Sequence, residues 1–297
     1  MLILDEAQVR RHLTYVSLIP ALEQALIRFS NGEITQPVRS VLSIPEHNGR
    51  FGLMPCVDGD LVAVKLVTVF ENNTNLPTHQ AVIQLFSAST GEPLAVVDGR
   101  LITEMRTAAV TAIAARLFTP QEPLTVAILG SGVQARSHLA ALSHVRELRE
   151  VRIWSRTPTH AKAFAQETGA IALPIQDAVR GADTVIGVAN VTEPLILGCY
   201  LAETKLVAAI AAVGASRREL DDEAMKSWVV VESREAAQRE SGDIIDTGAP
   251  IYAELGEILA GKIPLPPAES RVVYKGLGIA AEDLAAARVV YEAAKSL

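Results

Sequence analysis

The sequence has little cysteine, no long apolar run and no concentration of basic residues, and each absence excludes a class of protein. Two cysteines, Cys56 and Cys199, are too few for a disulfide framework, which favours a reducing compartment. The longest apolar runs, such as "LVAAIAAVGA", are about half of what a bilayer span requires, so no membrane association is expected. The N-terminus has acidic residues directly after a short apolar start and does not resemble a secretion signal. A cytoplasmic protein is therefore predicted.

Basic residues are mixed with acidic ones throughout the chain. Lys and Arg number 27 against 34 Asp and Glu, the formal net charge is −7, and no basic stripe indicates a nucleic-acid surface. With 297 residues, 49% of them hydrophobic, the chain is long enough for two domains that each have a core. We expect a globular protein that binds neither nucleic acid nor membrane, and no metal site is predicted.

The first part of the chain predicts two helices followed by a sheet. Asp5 is the expected N-cap of the first helix, and the second, "PALEQALIRFSNG", is expected to open on Pro20 and to close near Gly32. Strand-like runs with turn signals between them follow: "GRFGLMPCV", "LVAVKLVTVF", "THQAVIQLFSA" and "PLAVVDGRLIT". Consecutive strands with short links predict a mainly antiparallel sheet.

The hydrophobic period then changes. An Ala-rich helix, "TEMRTAAVTAIAARLF", has Thr103 as a candidate N-cap and ends before Pro120. Beyond it strands alternate with helices, in the runs "TVAILG", "EVRIWS", "DTVIGVA", "KLVAAIAAVGAS", "WVVVES" and "VVYKGLG". Such alternation predicts parallel βαβ units. The predicted fold is α/β, with a Rossmann-type doubly wound parallel sheet over residues 119–278 and an α+β domain over residues 1–118, completed by a helix at 279–297.

A glycine turn follows the first strand of the predicted parallel sheet. It reads Gly130-Ser131-Gly132-Val133-Gln134-Ala135, a G-x-G-x-x-A pattern between an apolar strand and a helix. Gly130 permits the tight turn, Gly132 lets a pyrophosphate approach the backbone, and Ala135 lets helix and strand pack closely. The N–H groups at the helix N-terminus then favour phosphate. This context predicts a dinucleotide site, the alternative being a tight turn with no ligand.

The end of the second parallel strand predicts which dinucleotide binds. An NAD site usually has Asp or Glu there, whereas this chain has Ser155-Arg156-Thr157. Arg156 can pair with a 2′-phosphate and the two hydroxyls can donate to it, so NADPH is predicted rather than NADH. The alternative for Arg156 is a solvated loop arginine.

Small residues end two further strands, where a nicotinamide could lie close to the backbone. The fourth strand is expected to end at Gly214-Ala215-Ser216 and the sixth at Gly276-Leu277-Gly278, with the ligand crevice between the first and fourth strands. These glycines could also be ordinary turn residues. The predicted cofactor-binding set is completed by Thr107, Val188, Ala189 and Leu277.

Cationic residues of the first domain are the candidates for binding a substrate. Lys65 interrupts an apolar strand, where an ammonium is costly without an anion, although an edge-strand lysine is an alternative. Arg106 falls in the expected first turn of the Ala-rich helix, where guanidinium and backbone N–H groups could bind a carboxylate; otherwise it is a surface arginine. Arg39 could be a second carboxylate clamp, and His79 is more typical of a structural histidine than of a catalyst.

These segments together resemble the ornithine cyclodeaminase/μ-crystallin family. The resemblance runs in order from about residue 2 to 295, through "QPVRSVL", "GLMP", "KLVTVFENN", "THQAVIQLF", "VVDGRLITEMRTAAVTAIAARLF", "LGSGVQARSHL", "VRIWSRT", "AVGASRREL", "ESGDI" and "GLGIAAED". It implies a substrate and dimerisation domain, a dinucleotide domain and a homodimer. It also implies that Arg39, Lys65 and Arg106 bind the substrate carboxylate and the carbon that bears its nitrogen.

One position separates the branches of that family. Cyclodeaminases have an Asp after the small residues that end the fourth strand, and this chain has Ser216, as the reductases of the family do. Without that carboxylate, ring closure with loss of ammonia lacks its acid/base group. The loop that follows, "GASRREL", is about three residues shorter than the family's usual length.

The resemblance therefore predicts an NAD(P)H-dependent oxidoreductase that reduces cyclic imino acids such as 1-pyrroline-2-carboxylate and 1-piperideine-2-carboxylate. Arg106 and Arg39 would bind the carboxylate, Lys65 would protonate or hydrogen-bond the nitrogen, and Ser216 would orient it. Two alternatives stay open. One is an ornithine cyclodeaminase or an alanine-type dehydrogenase, and the other is an NADPH-binding, crystallin-like protein without turnover.

Overall fold

A computed structural model describes residues 1–295 of the chain. It contains two compact units, of which the first comprises residues 1–106 and the chain from Gly278 onward, and the second comprises Thr107–Leu277. The division falls inside one helix, which begins in the first unit and continues into the second. Each unit has its own sheet.

The first unit contains one six-stranded sheet and four helices or parts of helices. Its strands are β1 (Leu2–Leu4), β2 (Ser40–Ile44), β3 (Gly49–Asp58), β4 (Leu61–Phe70), β5 (His79–Ser87) and β6 (Pro93–Asp98). Its helices are α1 (Glu6–His12), α2 (Tyr15–Ser30), the first part of α3 (Gly99–Phe118) and, at the end of the chain, α10 (Ala280–Lys295). The sheet order is β1-β6-β5-β4-β3-β2, antiparallel except for the parallel pair β1–β6. The prediction of a mainly antiparallel sheet is confirmed.

Alternation along the strands gives this sheet two different faces. In β4, Leu61, Ala63 and Lys65 are buried while Val62 and Val64 between them are half-buried, as a period of two requires. Helix α10 lies against β3, β4 and β5 and against α2, so the buried residues face that helix. Lys65 is thereby placed on the covered side of the sheet.

Two helix starts differ from the prediction. Helix α2 begins at Tyr15 rather than at Pro20, because Thr14 and Ser17 form a capping box upstream, and Pro20 lies inside the helix. Helix α3 begins at Gly99, because the Asp98 carboxylate accepts a hydrogen bond from the Leu101 N–H. Thr103 is therefore not an N-cap; its hydroxyl donates to the Gly99 carbonyl at 2.7 Å.

The second unit contains an eight-stranded sheet in which every strand pairing is parallel. Its strands are β7 (Leu124–Leu129), β8 (Leu148–Trp154), β9 (Ile171–Ala172), β10 (Thr184–Gly187), β11 (Leu206–Ala209), β12 (Trp228–Val231), β13 (Ile251–Glu254) and β14 (Val272–Lys275). Besides the rest of α3, its helices are α4 (Val133–Leu142), α5 (Pro158–Thr168), α6 (Ile175–Val179), α7 (Arg234–Glu240), α8 (Gly242–Thr247) and α9 (Leu255–Leu259). The doubly wound fold is confirmed.

The strand order corrects the predicted switch point. The order is β13-β12-β14-β11-β10-β7-β8-β9, so the chain runs outward from β7 to β9 and then returns to the other side of β7 at β10. The two-residue β9 is the third strand, which makes β10 the fourth, and β10 ends at Gly187. The run that was predicted as the fourth strand is β11, which ends at Ala209 before Gly214-Ala215-Ser216. A strand as short as β9 has no visible hydrophobic period, which explains the wrong count.

Among residues 1–295, no helix is both long and apolar enough to cross a membrane.

Candidate functional site

The first unit gathers buried charges around Lys65 on β4. Lys65 is 2% exposed, and its Nζ lies 2.7 Å from Oδ2 of Asp283 and 3.5 Å from the Thr103 hydroxyl. It sits next to Met54 of β3 and Ile83 of β5 in the sheet, so it is not an edge-strand residue. A buried ammonium is stable only when it is paired, and Asp283 supplies that partner.

Arg106 joins the same cluster from α3. Its Nη1 donates to Glu282 at 2.5 Å, and its Nε lies 3.2 Å from Oδ1 of Asp283. It is 4% exposed, which excludes a surface arginine. Because α3 begins at Gly99, Arg106 lies beyond the first turn, so the predicted help from N–H groups at a helix N-terminus does not apply. Its charge and its carboxylate partners, rather than the helix end, define its environment.

Arg39 reaches the cluster from the segment before β2. Its Nη2 donates to the carbonyl of Gly278 at 2.5 Å. Gly278 has φ +72°, and a Cβ there would collide with the guanidinium of Arg106. Gly278 belongs to the first unit, where its backbone lies against Arg106 and its carbonyl accepts from Arg39; its expected place beside a nicotinamide stays a prediction.

The pKa values in the cluster follow from burial and mutual charge. Burial, opposed by Asp283 and assisted by Arg106 and Arg39, lowers the pKa of Lys65 to about 8. Burial alone would raise the pKa of Asp283, but Arg106 and Lys65 hold it below its usual range. Burial and the nearby cations Lys65 and Arg106 lower the pKa of His79 to about 4, so this imidazole is neutral near pH 7.

Three cations and two carboxylates leave the cluster with one net positive charge. The cations are Lys65, Arg106 and Arg39, and the anions are the neighbouring Glu282 and Asp283 at the start of α10. A single positive charge in a water-poor region attracts one carboxylate. Sequence reasoning missed both acids, although two consecutive acids in "AAEDLAAA" were a usable signal, since helix residues that are otherwise Ala and Leu face a core.

The second unit forms the glycine turn that was predicted for the dinucleotide. Gly130 has φ +125°, and a Cβ there would lie 2.8 Å from the Ala189 nitrogen and 2.9 Å from the Val188 carbonyl carbon. Glycine is therefore required, and the turn lies against the backbone that follows β10. Gly132 is the N-cap of α4, it forms no side-chain cap, and a Cβ on it would meet open space. Uncapped N–H groups at Val133 and Gln134 beside open space fit a pyrophosphate.

The residues after β8 lie beside this turn. The Ser131 hydroxyl donates to the Ser155 hydroxyl at 2.9 Å, and the Thr157 N–H donates to Ser155 at 3.4 Å. Arg156 and Thr157 are exposed, and Arg156 forms no hydrogen bond or ion pair with residues 1–295. The strand end thus presents hydroxyls and a guanidinium, and no carboxylate, next to the glycine turn.

The other predicted site residues are distributed as follows. Thr107 lies on α3, half-buried, and belongs to the second unit with the glycine turn. Leu277 is 6% exposed, and its N–H donates to Glu232 at 3.0 Å. Ser216 is an exposed residue of the loop after β11, also in the second unit.

A second buried ionic network, which sequence reasoning missed, holds the loop that contains Ser216. Lys275 Nζ lies 2.8 Å from Glu219, 3.0 Å from Asp243 and 2.9 Å from the Ala212 carbonyl. Glu219 accepts from the Ala212 N–H, and Asp243 accepts from the N–H groups of Glu219 and Leu220. These bonds fix both ends of the segment from 212 to 220. Within residues 1–295 no group of His, Cys, Asp and Glu could hold a metal ion.

Comparison with known proteins gives one consistent group of relatives. The model of the ornithine cyclodeaminase/mu-crystallin family matches residues 1–297. The chain is 46% identical to the ketimine reductase mu-crystallin of Mus musculus, covering 97% of this chain and 96% of that protein. It is 32% identical to a Delta(1)-pyrroline-2-carboxylate reductase of Bacillus cereus, covering 99% and 97%.

A solved structure agrees in both fold and sequence. The Delta(1)-pyrroline-2-carboxylate reductase of Thermococcus litoralis, in complex with NADH and L-proline, superposes with a TM-score of 0.94 at 32% identity, covering 100% of this chain and 98% of that one. The predicted resemblance is thereby confirmed over the whole chain.

Proposed function

This chain belongs to the ornithine cyclodeaminase/μ-crystallin family, and from that premise we propose that it reduces cyclic ketimines with NADPH. The substrates are of the 1-piperideine-2-carboxylate or 1-pyrroline-2-carboxylate type, and the products are cyclic amino acids. The observation that supports this most is the cluster of Lys65, Arg106 and Arg39 with Glu282 and Asp283, whose one net positive charge matches one substrate carboxylate. The relatives of this chain include a ketimine reductase and a pyrroline-2-carboxylate reductase, which supports the same proposal.

The two arginines bind the carboxylate of the substrate. A guanidinium presents paired N–H donors that match a carboxylate, and its hydrogen bonds to a charged group are about twice as strong as neutral ones. Glu282 holds the guanidinium of Arg106 at Nη1, and the Gly278 carbonyl holds that of Arg39 at Nη2. Held side chains lose little entropy when the substrate binds, so they place the reacting carbon accurately.

Lys65 supplies the proton. In the ammonium form it donates to the imine nitrogen, so that one N–H bond breaks at Lys65 while another forms on the substrate, and the neutral amine then regains a proton from solvent. When bound, the nicotinamide supplies the hydride that the imine carbon accepts. A pKa of about 8 suits this transfer, because the group is charged at neutral pH yet releases its proton readily.

Ser216 stands where the cyclodeaminases of the family have an Asp. A serine hydroxyl can orient the substrate nitrogen or a water molecule, but it cannot take a proton as a carboxylate does. The loop that presents it is held by Lys275, Glu219 and Asp243. This favours a reductase over ring closure with loss of ammonia.

The cofactor is a nicotinamide dinucleotide, and NADPH is the form that the second unit favours. Gly130, Gly132, Val133 and Gln134 would hold the pyrophosphate. The group after β8 would hold the 2′-phosphate; it consists of Ser155, Arg156 and Thr157. The proposed cofactor contacts are completed by Val188, Ala189, Thr107 and Leu277. The end of β8 has no carboxylate that would repel the phosphate.

The same chain would work as a homodimer. The face of the first sheet that α10 does not cover is mainly apolar, although Gln84 lies between Val64 and Val96 and Thr68 and Gln80 lie toward one end. Its apolar residues are half-buried or exposed: Leu53, Pro55, Val57, Val62, Val64, Leu66, Val82, Phe86 and Val96. An antiparallel sheet with one solvated face normally alternates apolar and polar residues. A mainly apolar face of this size fits a second copy of the chain.

The direct test is a panel of cyclic imino acids of five- and six-membered rings, each assayed with NADPH and with NADH by nicotinamide absorbance. We expect turnover of both ring sizes and a lower KM for NADPH. Ammonia and proline formed from ornithine without added reductant would identify a cyclodeaminase instead. Bound cofactor with no turnover of any imine would identify a binding protein.

A further inference from the structure

The two consecutive acids at the start of α10, Glu282 and Asp283, have different partners. Both are buried, at 0% and 2% exposure, in a helix whose neighbouring positions are Ala and Leu. Carboxylates are almost never this deeply buried unless they are paired. Nothing about the packing of α10 requires charge at these two positions, so the reason for them lies in the groups that they contact.

Asp283 contacts both catalytic cations. One oxygen lies 2.7 Å from Lys65 Nζ and the other lies 3.2 Å from Arg106 Nε. Glu282 contacts the far end of the same guanidinium, 2.5 Å from Nη1. Asp283 is thus the carboxylate in contact with the proton donor, and Glu282 is in contact with the residue proposed to bind the substrate carboxylate.

The groups that face Lys65 explain why it needs a counter-ion. Arg106 of α3, Arg39 before β2 and His79 of β5 interact electrostatically with Lys65, and Asp283 of α10 is in direct contact with it. Two of these groups are permanent cations, and the histidine is neutral near pH 7. Asp283 is therefore the group among them that opposes release of the Lys65 proton, against both burial and the two arginines.

We propose that Asp283 is a positioning residue that keeps the Lys65 ammonium charged and directed into the cluster, while Glu282 beside it holds Arg106 for the substrate carboxylate. This rests on the proposed function, because it assigns the proton of that reaction to Lys65. The two acids then have separate roles, since Asp283 acts on proton delivery and Glu282 acts on substrate binding. Removing either leaves the cluster with two net positive charges, so the net charge alone does not distinguish them.

The matched pair of variants is Asp283→Asn and Glu282→Gln. Each replaces a buried carboxylate with an amide of the same shape, on adjacent residues of one helix turn. The activity of each holoenzyme is followed with 1-piperideine-2-carboxylate and NADPH as a function of pH. For Asp283→Asn we expect the loss of kcat at high pH to begin at least one pH unit lower than in the wild type. For Glu282→Gln we expect the pH at which kcat begins to fall to be unchanged, while KM for the imino acid rises at least tenfold.

A substrate-free measurement accompanies the kinetics, because the imine nitrogen also titrates. The ¹³Cε resonance of Lys65, assigned by its loss in Lys65→Arg, is titrated in the enzyme labelled at lysine. It should move near pH 8 in the wild type, at least one unit lower in Asp283→Asn, and close to the wild-type value in Glu282→Gln and in Asp283→Glu. An unshifted titration in Asp283→Asn, or an equal shift in Glu282→Gln, would overturn the proposal.

Two further outcomes are also decisive. If Asp283→Asn does not fold, the carboxyl ¹³C resonance of Asp283 in the wild type should show an inflection at the pH where Lys65 titrates, and its absence would overturn the proposal. If the wild type reduces no cyclic imine, the proposed function fails, and the titration still tests whether Asp283 sets the charge of Lys65.

Discussion

At the scale of single residues, the sequence shows the cations and hides their counter-ions. Lys65 stands out because it interrupts an apolar strand, and it is indeed fully buried. Its partner Asp283 lies near the other end of the chain, on a helix that packs against β4 only in the folded protein. Local patterns report burial but not long-range pairing, so the sequence could not show that Lys65 and Arg106 share one carboxylate.

Replacement of Lys65 tests its role as proton donor. Lys65→Met keeps a long apolar stem and removes the charge, so we expect kcat to fall by about 10²–10⁴, the usual contribution of general acid catalysis. NADPH binding, measured by fluorescence titration, should stay within about twofold of the wild type. A Lys65→Met enzyme with wild-type kcat would exclude this residue as the donor.

Replacement of Arg156 tests the preference for NADPH. If Arg156 binds the 2′-phosphate as proposed, Arg156→Ala removes one charge-assisted contact worth about 1.5–3 kcal/mol, so KM for NADPH should rise about 10- to 150-fold while KM for NADH changes little. Lys162→Ala, which removes an exposed cation on the adjacent α5, is the control and should change neither value. Equal losses with both cofactors would mean that Arg156 does not recognise the phosphate.

At the scale of secondary-structure elements, the long strands were predictable and several boundaries were not. The alternating runs of β3, β4 and β5 fell where the hydrophobic pattern put them. Helix α3 starts at Gly99 because the Asp98 side chain caps it, and the sequence "VVDGRLIT" hid this by continuing a strand-like pattern past the cap. Because α3 begins earlier than predicted, Arg106 lies beyond the first turn of the helix and not within it.

The buried ionic network around Lys275 on β14 predicts that loss of this lysine destabilises the protein. Lys275→Met leaves Glu219 and Asp243 buried without their cation, which typically costs about 3–5 kcal/mol, measured as a loss of unfolding free energy in urea. The control is Lys205→Met, directly before the neighbouring strand β11, whose partner Glu269 is 94% exposed. That pair should contribute less than about 1 kcal/mol. Equal destabilisation by the two variants would show that the buried pairing of Lys275 has no special weight.

At the scale of the whole molecule, the class of fold followed from the order of periodicities along the chain. Runs of period two, then an Ala-rich helix, then alternating strands and helices indicated an antiparallel sheet followed by a doubly wound one, and both are present. The strand order within the second sheet did not follow, because the third strand, β9, has two residues and no pattern of its own. When one strand of the sheet is missed in the sequence, the predicted ligand crevice is assigned to the wrong strand end.

The apolar face of the first sheet predicts the oligomeric state. Val64→Asp places a charge in the middle of that face, at a half-buried position of β4 that does not face α10. If two copies pair through this face, light scattering should give a dimer for the wild type and a monomer for the variant, while the circular dichroism of the variant is retained. A wild-type monomer, or a dimer that the substitution leaves intact, would contradict the proposed interface.

The proposed function depends most on recognition of one carboxylate by Arg106 and Arg39. The measurement that tests this most directly compares kcat/KM for 1-piperideine-2-carboxylate with that for 1-piperideine, which lacks the carboxylate, in the wild type and in Arg106→Ala. We predict that the wild type prefers the imino acid by at least about 10²-fold, and that Arg106→Ala loses most of this preference while still binding NADPH. Equal rates on the two imines in the wild type, or an undiminished preference in Arg106→Ala, would contradict it.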